Sequence, residues 1–177
     1  DKLRNIAESF CELAENKNLN YQLDIEPDIE WNTDISCFNK IANNLISNAF
    51  KYTPEEGTIN VSLKTENQHL TLSISNSGKG IAKENLLKIF DRYKILDSFE
   101  MNGKNSRNGL GLAICKSMTT LLNGEINVSS IQNEVTTFIV TLPELSPSQQ
   151  EADMSRKEYE TTPINTNTES IELEQTI

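Results

Sequence analysis

The sequence predicts an α+β protein, a two-layer sandwich in which about three helices cover one face of a mixed, mostly antiparallel sheet of about five strands. Two observations lead to this prediction. Segments that alternate apolar and polar residues, as half-buried strands do, are interspersed with segments whose apolar residues recur every three or four positions, as in amphipathic helices. The chain has 177 residues, enough for one domain with a substantial core and tails.

The most distinctive predicted helix covers residues 34–52. At about 100° per residue its apolar side chains fall within an arc of roughly 140°, a stripe wide enough to face a core. These residues are Ile35, Phe38, Ile41, Ala42, Leu45, Ile46 and Ala49. Asp34 is the expected N-cap, and the turn at residues 53–57 ends the helix.

A polar ladder borders this apolar stripe. Asn44, Asn48 and Lys51 stand at positions i, i+4 and i+7, and therefore line one edge of the helix. Such a border is suited to the floor of a polar ligand site. Two asparagines at this spacing also occur as ordinary solvent-facing residues, and the helix alone leaves both interpretations open.

The other elements follow from the same patterns. Further helices are predicted over residues 1–17, 82–90 and 109–122, and strands over residues 19–25, 58–64, 70–75, 125–131 and 134–142. A turn at 65–69 joins the second and third strands into a hairpin. Residues 91–108 show no periodicity and are predicted to be a lid or a disordered loop, because so long an irregular connection is unusual in a compact domain.

Composition excludes several classes of function. A net charge of −10 provides no basic field for nucleic acid, and no apolar run approaches the 18 or so residues of a membrane span. The three cysteines, Cys11, Cys37 and Cys115, are too far apart for a zinc site, and the lone His69 cannot complete one. We expect the cysteines to be reduced and buried, in a cytosolic compartment, and His69 to be exposed and inert.

Two glycine pairs mark places where the backbone approaches a ligand closely. Gly78 and Gly80 turn a strand toward a helix, and Gly109 and Gly111 open a helix whose first amides favour phosphate. Each pair alone is weak evidence, since tight turns and packed helix starts also use glycine. The loop between them carries the basic residues Arg92, Lys94, Lys104 and Arg107, which are available to meet phosphate charge.

Five segments together resemble the ATP-binding domain of sensor histidine kinases, a Bergerat fold of the GHKL superfamily. They resemble the N box, the first glycine box, the F box, the second glycine box and the closing strand: residues 44–52, 76–81, 89–93, 108–114 and 136–143. They cover about residues 30–145 in the family's order. The sequence around the second glycine box and the polar tail are most similar to hybrid kinases with a receiver domain downstream.

The resemblance implies a site for Mg²⁺ and ATP. Asn48 would coordinate Mg²⁺, Asn44 would support the phosphates, and Lys51 and Tyr52 would reach phosphate and ribose. Arg92 joins Asn44, Asn48 and Lys51 as an expected catalytic residue. The other expected nucleotide-binding residues are Asn76, Gly78, Gly80, Ile81, Arg107, Gly109, Leu110, Gly111, Leu112 and Thr136, and the adenine walls are expected from Ile46, Ile81, Leu112 and Phe138.

The resemblance also implies the reaction, transfer of the γ-phosphoryl group of ATP to a histidine on a separate dimerisation domain. Related hydrolytic ATPases have a glutamate as general base at position 44, and an amide cannot take that proton. Two alternatives remain: a self-contained ATPase, which Asn44 disfavours, and a degenerate domain that signals by contact. The second arises because Asn76 replaces the family's adenine-reading aspartate; Arg107 and Val135 are further departures, each in place of a glycine of the family pattern.

The expected organisation has three parts. Residues 1–18 would be a helical connector from a missing dimerisation domain, and their apolar residues would face that domain. Residues 19–145 would be the ATP-binding domain, and residues 146–177 a disordered linker or tail. The start at Asp1, without methionine, is typical of a fragment. We expect the fragment to be monomeric, without membrane or nucleic-acid contact, and its parent to be a homodimeric, membrane-anchored sensor with this portion in the cytosol.

Overall fold

A computed structural model describes residues 2–91 and 110–144. In this part of the chain five strands form one sheet in the order β1-β2-β3-β5-β4. The strands are β1 (Asn20–Ile25), β2 (Thr58–Glu66), β3 (His69–Ser77), β4 (Glu125–Ile131) and β5 (Val135–Pro143). β1 is parallel to β2, and every other neighbouring pair is antiparallel. The predicted mixed, mostly antiparallel sheet is confirmed.

The central helix α3 (Ile35–Tyr52) packs on β2 and β3 and begins as predicted. The Asp34 carboxylate accepts hydrogen bonds from the backbone amides of Ser36 and Cys37, at 2.7 and 3.1 Å, which satisfies two donors of the first turn. The predicted apolar arc is buried except at Ile35, which is 43% exposed. Ile35 is the first helical residue and lies at the margin of the packed face.

The predicted helix over residues 1–17 is two short helices, α1 (Lys2–Glu8) and α2 (Cys11–Asn16). The break occurs because the Ser9 hydroxyl donates to the Ile6 carbonyl at 2.6 Å, and Phe10 turns to stack on Phe50 of α3, with ring centroids 5.1 Å apart. Leu3 and Ala7 are buried against the domain. Leu3 and Ala7 therefore belong to the core of this domain, whereas Leu13 of the same segment is 41% exposed, and the expected interface with a dimerisation domain stays a prediction.

The connector segment also binds the end of α3. Lys17 Nζ donates to the Phe50 carbonyl at 2.9 Å, which places a cation at the negative end of the helix. Tyr21 of β1 packs edge-on against Phe50, and its hydroxyl donates to the Ala7 carbonyl at 3.0 Å. Phe50 lies outside the predicted apolar arc but is buried by these neighbours.

The helix predicted over 82–90 is shorter than expected. Only a single 3₁₀ turn forms, Lys83–Asn85, and turns continue to Phe90. Its hydrogen bonds mostly span three residues, as in the bond from the Asn85 amide to the Ala82 carbonyl. Leu87 is 91% exposed while Ile89 is buried, so the segment lacks the continuous apolar stripe that stabilises an α-helix.

The remaining elements agree with the prediction apart from their ends. Helix α4 covers Gly111–Leu121 and packs on α3 and β4. The hairpin turn consists of Asn67 and Gln68, both with positive φ, which matches the twist of the flanking strands. In the described residues no helix is long and apolar enough to cross a membrane.

The cysteines differ from the expectation at one position. All three lie in the described ranges, and none forms a disulfide. Cys37 and Cys115 are buried as expected, but Cys11 is exposed on α2. Burial raises the pKa of the Cys115 thiol to about 12.

Candidate nucleotide-binding site

Asn44 and the start of α4 form the centre of the candidate site. The Asn44 side-chain amide donates to the Lys40 carbonyl at 2.9 Å, one turn back along α3, which fixes the orientation of the carboxamide. Its oxygen then faces Gly111, where an added Cβ would lie 3.0 Å from Asn44 Oδ1. Glycine at 111 therefore allows α4 to begin directly against this oxygen.

The first turn of α4 exposes backbone amides. Leu110 is the N-cap and makes no side-chain capping bond, and the first hydrogen bond joins the Ile114 amide to the Leu110 carbonyl. The amides of Gly111 and Leu112 precede that bond and have no partner within the helix. A helix start of this kind favours phosphate.

Asn48 and Lys51 continue the border of α3 toward its C-terminal end. Asn48 is half-buried, and no group in the described residues forms a hydrogen bond with its side chain. Lys51 and Tyr52 are both exposed, and Lys51 Nζ lies 5.1 Å from the centroid of the Tyr52 ring. The predicted ladder thus contains an amide with unused hydrogen-bonding capacity and a solvent-facing cation.

The glycine turn after β3 packs between the end of α3 and the β4–β5 turn. At Gly78, with φ of 154°, an added Cβ would lie 2.7 Å from the Tyr52 carbonyl; at Gly80, with φ of 70°, it would lie 2.8 Å from the Ile131 carbonyl. The turn is hydrogen-bonded to the β4–β5 turn, because the Gly78 amide donates to the Glu134 carbonyl at 3.1 Å. Both glycines are therefore required by position as well as by conformation.

A row of polar side chains crosses the sheet beside this turn. Asn76 of β3, Thr136 of β5 and Ser130 of β4 are successive partners in the strand register, and Asn76 and Thr136 are buried. Asn76 Nδ2 donates to the Ser77 carbonyl at 3.0 Å. Ser130 Oγ lies 2.8 Å from Thr136 Oγ1 and accepts from the Ile81 amide at 2.9 Å.

Ser130 is a member of this row that sequence reasoning missed. Its signal was present in the alternation of β4, where Ile126 and Val128 occupy inward positions and Ser130 takes the next one. A serine at an inward position of a strand needs a hydrogen-bond partner, which here is Thr136 and the glycine turn.

The residues expected to form the adenine walls differ in how deeply they are buried. Ile81 and Leu112 are half-buried at the site, whereas Ile46 is completely buried in the core. Phe138 is buried and packs edge-on against Phe90, with ring centroids 6.4 Å apart. The segment resembling the F box is therefore in contact with β5. The predicted residues Arg92, Lys94, Lys104, Arg107 and Gly109 lie outside the described residues.

These features form a candidate nucleotide-binding site in an α+β domain, and comparison with known proteins gives its family. Residues 33–146 match the model of the histidine kinase-, DNA gyrase B- and HSP90-like ATPases. The chain therefore belongs to this ATP-binding family.

Relatives and solved structures agree with this assignment. The chain is 37% identical over 144 residues to histidine kinase P4 of Formosa agariphila, and this match covers 80% of the chain and 10% of that protein. It is 36% identical over 118 residues to the sensor histidine kinase WalK of Bacillus subtilis, covering 66% of the chain and 19% of that protein. The chain thus spans a small part of the length of these relatives.

Among solved structures, the catalytic domain of the histidine kinase ThkA superposes with a TM-score of 0.68 at 26% identity, covering 80% of this chain and 91% of that one. The mycobacterial sensor histidine kinase MprB superposes with a TM-score of 0.65, also at 26% identity, covering 78% and 93%. The predicted resemblance to sensor histidine kinase catalytic domains is confirmed.

Proposed function

We propose that this chain is the catalytic domain of a two-component sensor histidine kinase, which binds Mg²⁺-ATP and transfers the γ-phosphoryl group to a histidine on a separate dimerisation domain. The observation that carries the proposal is the carboxamide of Asn44 against the uncapped first turn of α4. This arrangement offers hydrogen bonds and positive helix-dipole potential to a triphosphate, and position 44 carries an amide where a carboxylate would activate water.

The nucleotide would lie along the border of α3. Backbone amides of Gly111 and Leu112, and of Gly109 and Leu110 before them, would bind phosphate oxygens. Lys51 is exposed and positively charged, and would contact phosphate, while the neighbouring Tyr52 would contact the ribose. At the other end of the site Asn76 and Thr136 provide the polar atoms for the base, and Ile81, Leu112 and Phe138 provide apolar contact.

Asn48 fits the requirements of a magnesium ligand. Mg²⁺ prefers oxygen ligands, retains several waters, and needs few protein ligands when phosphates are present. The described residues contain no group of three or more histidine, cysteine or acidic side chains able to hold a metal, so a metal here would depend on amide oxygens and the nucleotide itself. Bound Mg²⁺ would neutralise charge on the phosphates during phosphoryl transfer.

Asn44 distinguishes transfer from hydrolysis. Its amide nitrogen is occupied by the Lys40 carbonyl, and the oxygen that faces α4 has negligible basicity. This oxygen can accept from an ordered water but cannot remove a proton from it, and the second hydrogen of the amide nitrogen can donate to a phosphate. The self-contained ATPase is therefore the weaker alternative, and the acceptor of the phosphoryl group would be a histidine held on another domain.

The partners follow from this assignment. A dimerisation domain of the same parent would present the histidine, and a receiver domain would take the phosphoryl group onward, as in hybrid kinases. The parent would act as a homodimer with this domain in the cytoplasm. ThkA, whose fold this chain shares, has been solved in complex with the response regulator protein TrrA.

Phosphoryl transfer can be tested in a chimaera. Residues 1–145, which include the packed N-terminal helices, would replace the corresponding part of a sensor kinase of known activity, and the chimaera would be incubated with Mg²⁺ and γ-labelled ATP. We expect acid-labile label on the histidine, lost with Asn48→Ala and retained with the control Asn43→Ala. Steady phosphate release by the chain alone, abolished by Asn48→Asp, would instead support a self-contained ATPase.

A further inference from the structure

The hydroxyl of Ser130 has all of its hydrogen-bonding capacity assigned. It accepts from the Ile81 amide at 2.9 Å, lies 2.8 Å from Thr136 Oγ1, and lies 3.2 Å from the Val135 carbonyl, to which only a donor can bond. A serine hydroxyl has one proton and two lone pairs. If the proton goes to the Val135 carbonyl, Ser130 accepts from both Ile81 and Thr136, and all three contacts are hydrogen bonds.

The alternative arrangement makes one bond fewer. If Ser130 donated to Thr136, the short contact between the two hydroxyls would remain, but the Val135 carbonyl would lose this donor. The arrangement with the larger number of hydrogen bonds is favoured because these groups are partly removed from water. Thr136 therefore gives its only proton to Ser130, and its remaining capacity is to accept.

The orientation of the Asn76 carboxamide is also fixed by a hydrogen bond. Asn76 is paired with Thr136 across the strands and is 8% exposed, and its Nδ2 donates to the Ser77 carbonyl at 3.0 Å. A flipped carboxamide would place its oxygen against that carbonyl, which is unfavourable. The Asn76 oxygen is thus left as the acceptor, next to a Thr136 hydroxyl that also accepts.

We propose that Ser130 is a specificity-determining positioning residue, which holds the Thr136 hydroxyl as an acceptor and thereby favours purines with a 6-amino group over those with a 6-oxo group. The inference rests on the proposed function, since it assigns the base to the Asn76–Thr136 pair. Hydrogen bonds to the Ser77 carbonyl and the Ser130 hydroxyl orient the Asn76 oxygen and the Thr136 hydroxyl as acceptors. A neutral asparagine can therefore favour adenine, as a carboxylate, which can only accept, would do without these partners.

The test compares two nucleotides in the same variants. Inosine diphosphate carries a 6-oxo group where ADP has a 6-amino group, and lacks the additional 2-amino group of guanine. We expect the wild-type chain to bind ADP about 10- to 100-fold more tightly than inosine diphosphate by isothermal titration calorimetry, the range for one mismatched pair of hydrogen bonds. In Ser130→Ala the Thr136 hydroxyl loses its acceptor and can donate to the 6-oxo group, so this preference should fall by about tenfold.

Two further variants separate specificity from simple loosening of the turn. Ser130→Thr retains a hydroxyl and should keep the preference, and Ser129→Ala changes an exposed neighbour on β4 and should leave both affinities unchanged. Equal weakening of both nucleotides in Ser130→Ala would overturn the inference, as would equal binding of both by the wild type. If the wild type bound neither nucleotide, the proposed function itself would fail.

Discussion

Gly111 lies so close to Asn44 that a Cβ at position 111 would stand 3.0 Å from the Asn44 side-chain oxygen. This contact joins two segments that are far apart in sequence, the middle of α3 and the start of α4. It brings a carboxamide that does not act as a base beside a set of free backbone amides. The relation between these two residues is the structural basis for the proposal that this domain transfers a phosphoryl group.

Gly111→Ala should therefore weaken nucleotide binding through Asn44. We expect a loss of about tenfold in affinity for Mg²⁺-ADP, because the new methyl group displaces the Asn44 oxygen, while stability changes by no more than about 1 kcal/mol, the difference in helix propensity. Titration calorimetry and thermal unfolding measure the two effects. In an Asn44→Ala background the same substitution should have little further effect, and equal losses in both backgrounds would contradict the mechanism.

Asn76→Asp tests whether the missing aspartate has impaired the site. The new carboxyl group would lose the bond to the Ser77 carbonyl and face that oxygen at about 3 Å, so we expect unfolding stability to fall by about 1–3 kcal/mol and ADP affinity to change by less than about tenfold. A gain of several hundredfold would instead support the degenerate-domain alternative.

The stability of this variant should depend on pH. Burial would raise the folded-state pKa of the new carboxyl group above its unfolded value of about 3.9. The destabilisation is therefore present above the folded-state pKa and is relieved as pH falls and the protonated group donates to the Ser77 carbonyl. Denaturant unfolding at several pH values would measure this, and a stability difference from wild type that grows on acidification would contradict it.

A second pH dependence is expected at Glu26. Hydrogen bonds from the Thr65 amide and hydroxyl, at 2.8 and 2.9 Å, hold the pKa of its carboxyl group below the usual value. Such a group stabilises the fold above its unfolded-state pKa of about 4.3, and that contribution is lost as pH falls through the folded-state pKa. The stability difference between wild type and Glu26→Gln should therefore vanish in acid, and a difference that is independent of pH would count against this role.

The three cysteines should react with a thiol reagent in a fixed order. Cys11 is exposed, whereas Cys37 and Cys115 are buried and the pKa of Cys115 is raised to about 12. The thiolate is the reactive form, so one rapid equivalent of label should appear at Cys11 in the native protein, and the other two only after unfolding. Mass spectrometry locates the label, and Cys11→Ser is the control that should remove the rapid phase. Rapid native labelling of Cys115 would contradict the burial described.

The sequence predicted the parts of the fold that depend on local pattern. The limits of α3, its Asp34 cap and the strand alternation all follow from residues near one another in the chain. The break at Ser9 and Phe10 could not be predicted in this way, because it depends on Phe10 stacking with Phe50, forty residues later. Ile35 was assigned to the core by its place in the helical arc and Cys11 by residue type, and both are exposed.

In the candidate site, too, local positions could be predicted from the sequence, whereas contacts between distant segments could not. The resemblance located Asn44, Asn48 and Gly111 along the sequence, but not the contact between Asn44 and Gly111, which depends on how α4 packs against α3. Ser130 was missed because its role arises from strand register, which places it beside Thr136. A short motif cannot reveal a partner that belongs to another strand.

The most direct test of the proposed site compares two asparagines on the same helix. Asn48 makes no hydrogen bond within the described residues and lies on the site border, whereas Asn43 is exposed, its side chain donating to the Asn39 carbonyl. Isothermal titration with Mg²⁺-ADP should show binding to the wild type and to Asn43→Ala, and a loss of about 10- to 100-fold in Asn48→Ala with unfolding stability unchanged. No binding by the wild type at millimolar nucleotide, or equal binding by both variants, would contradict the account.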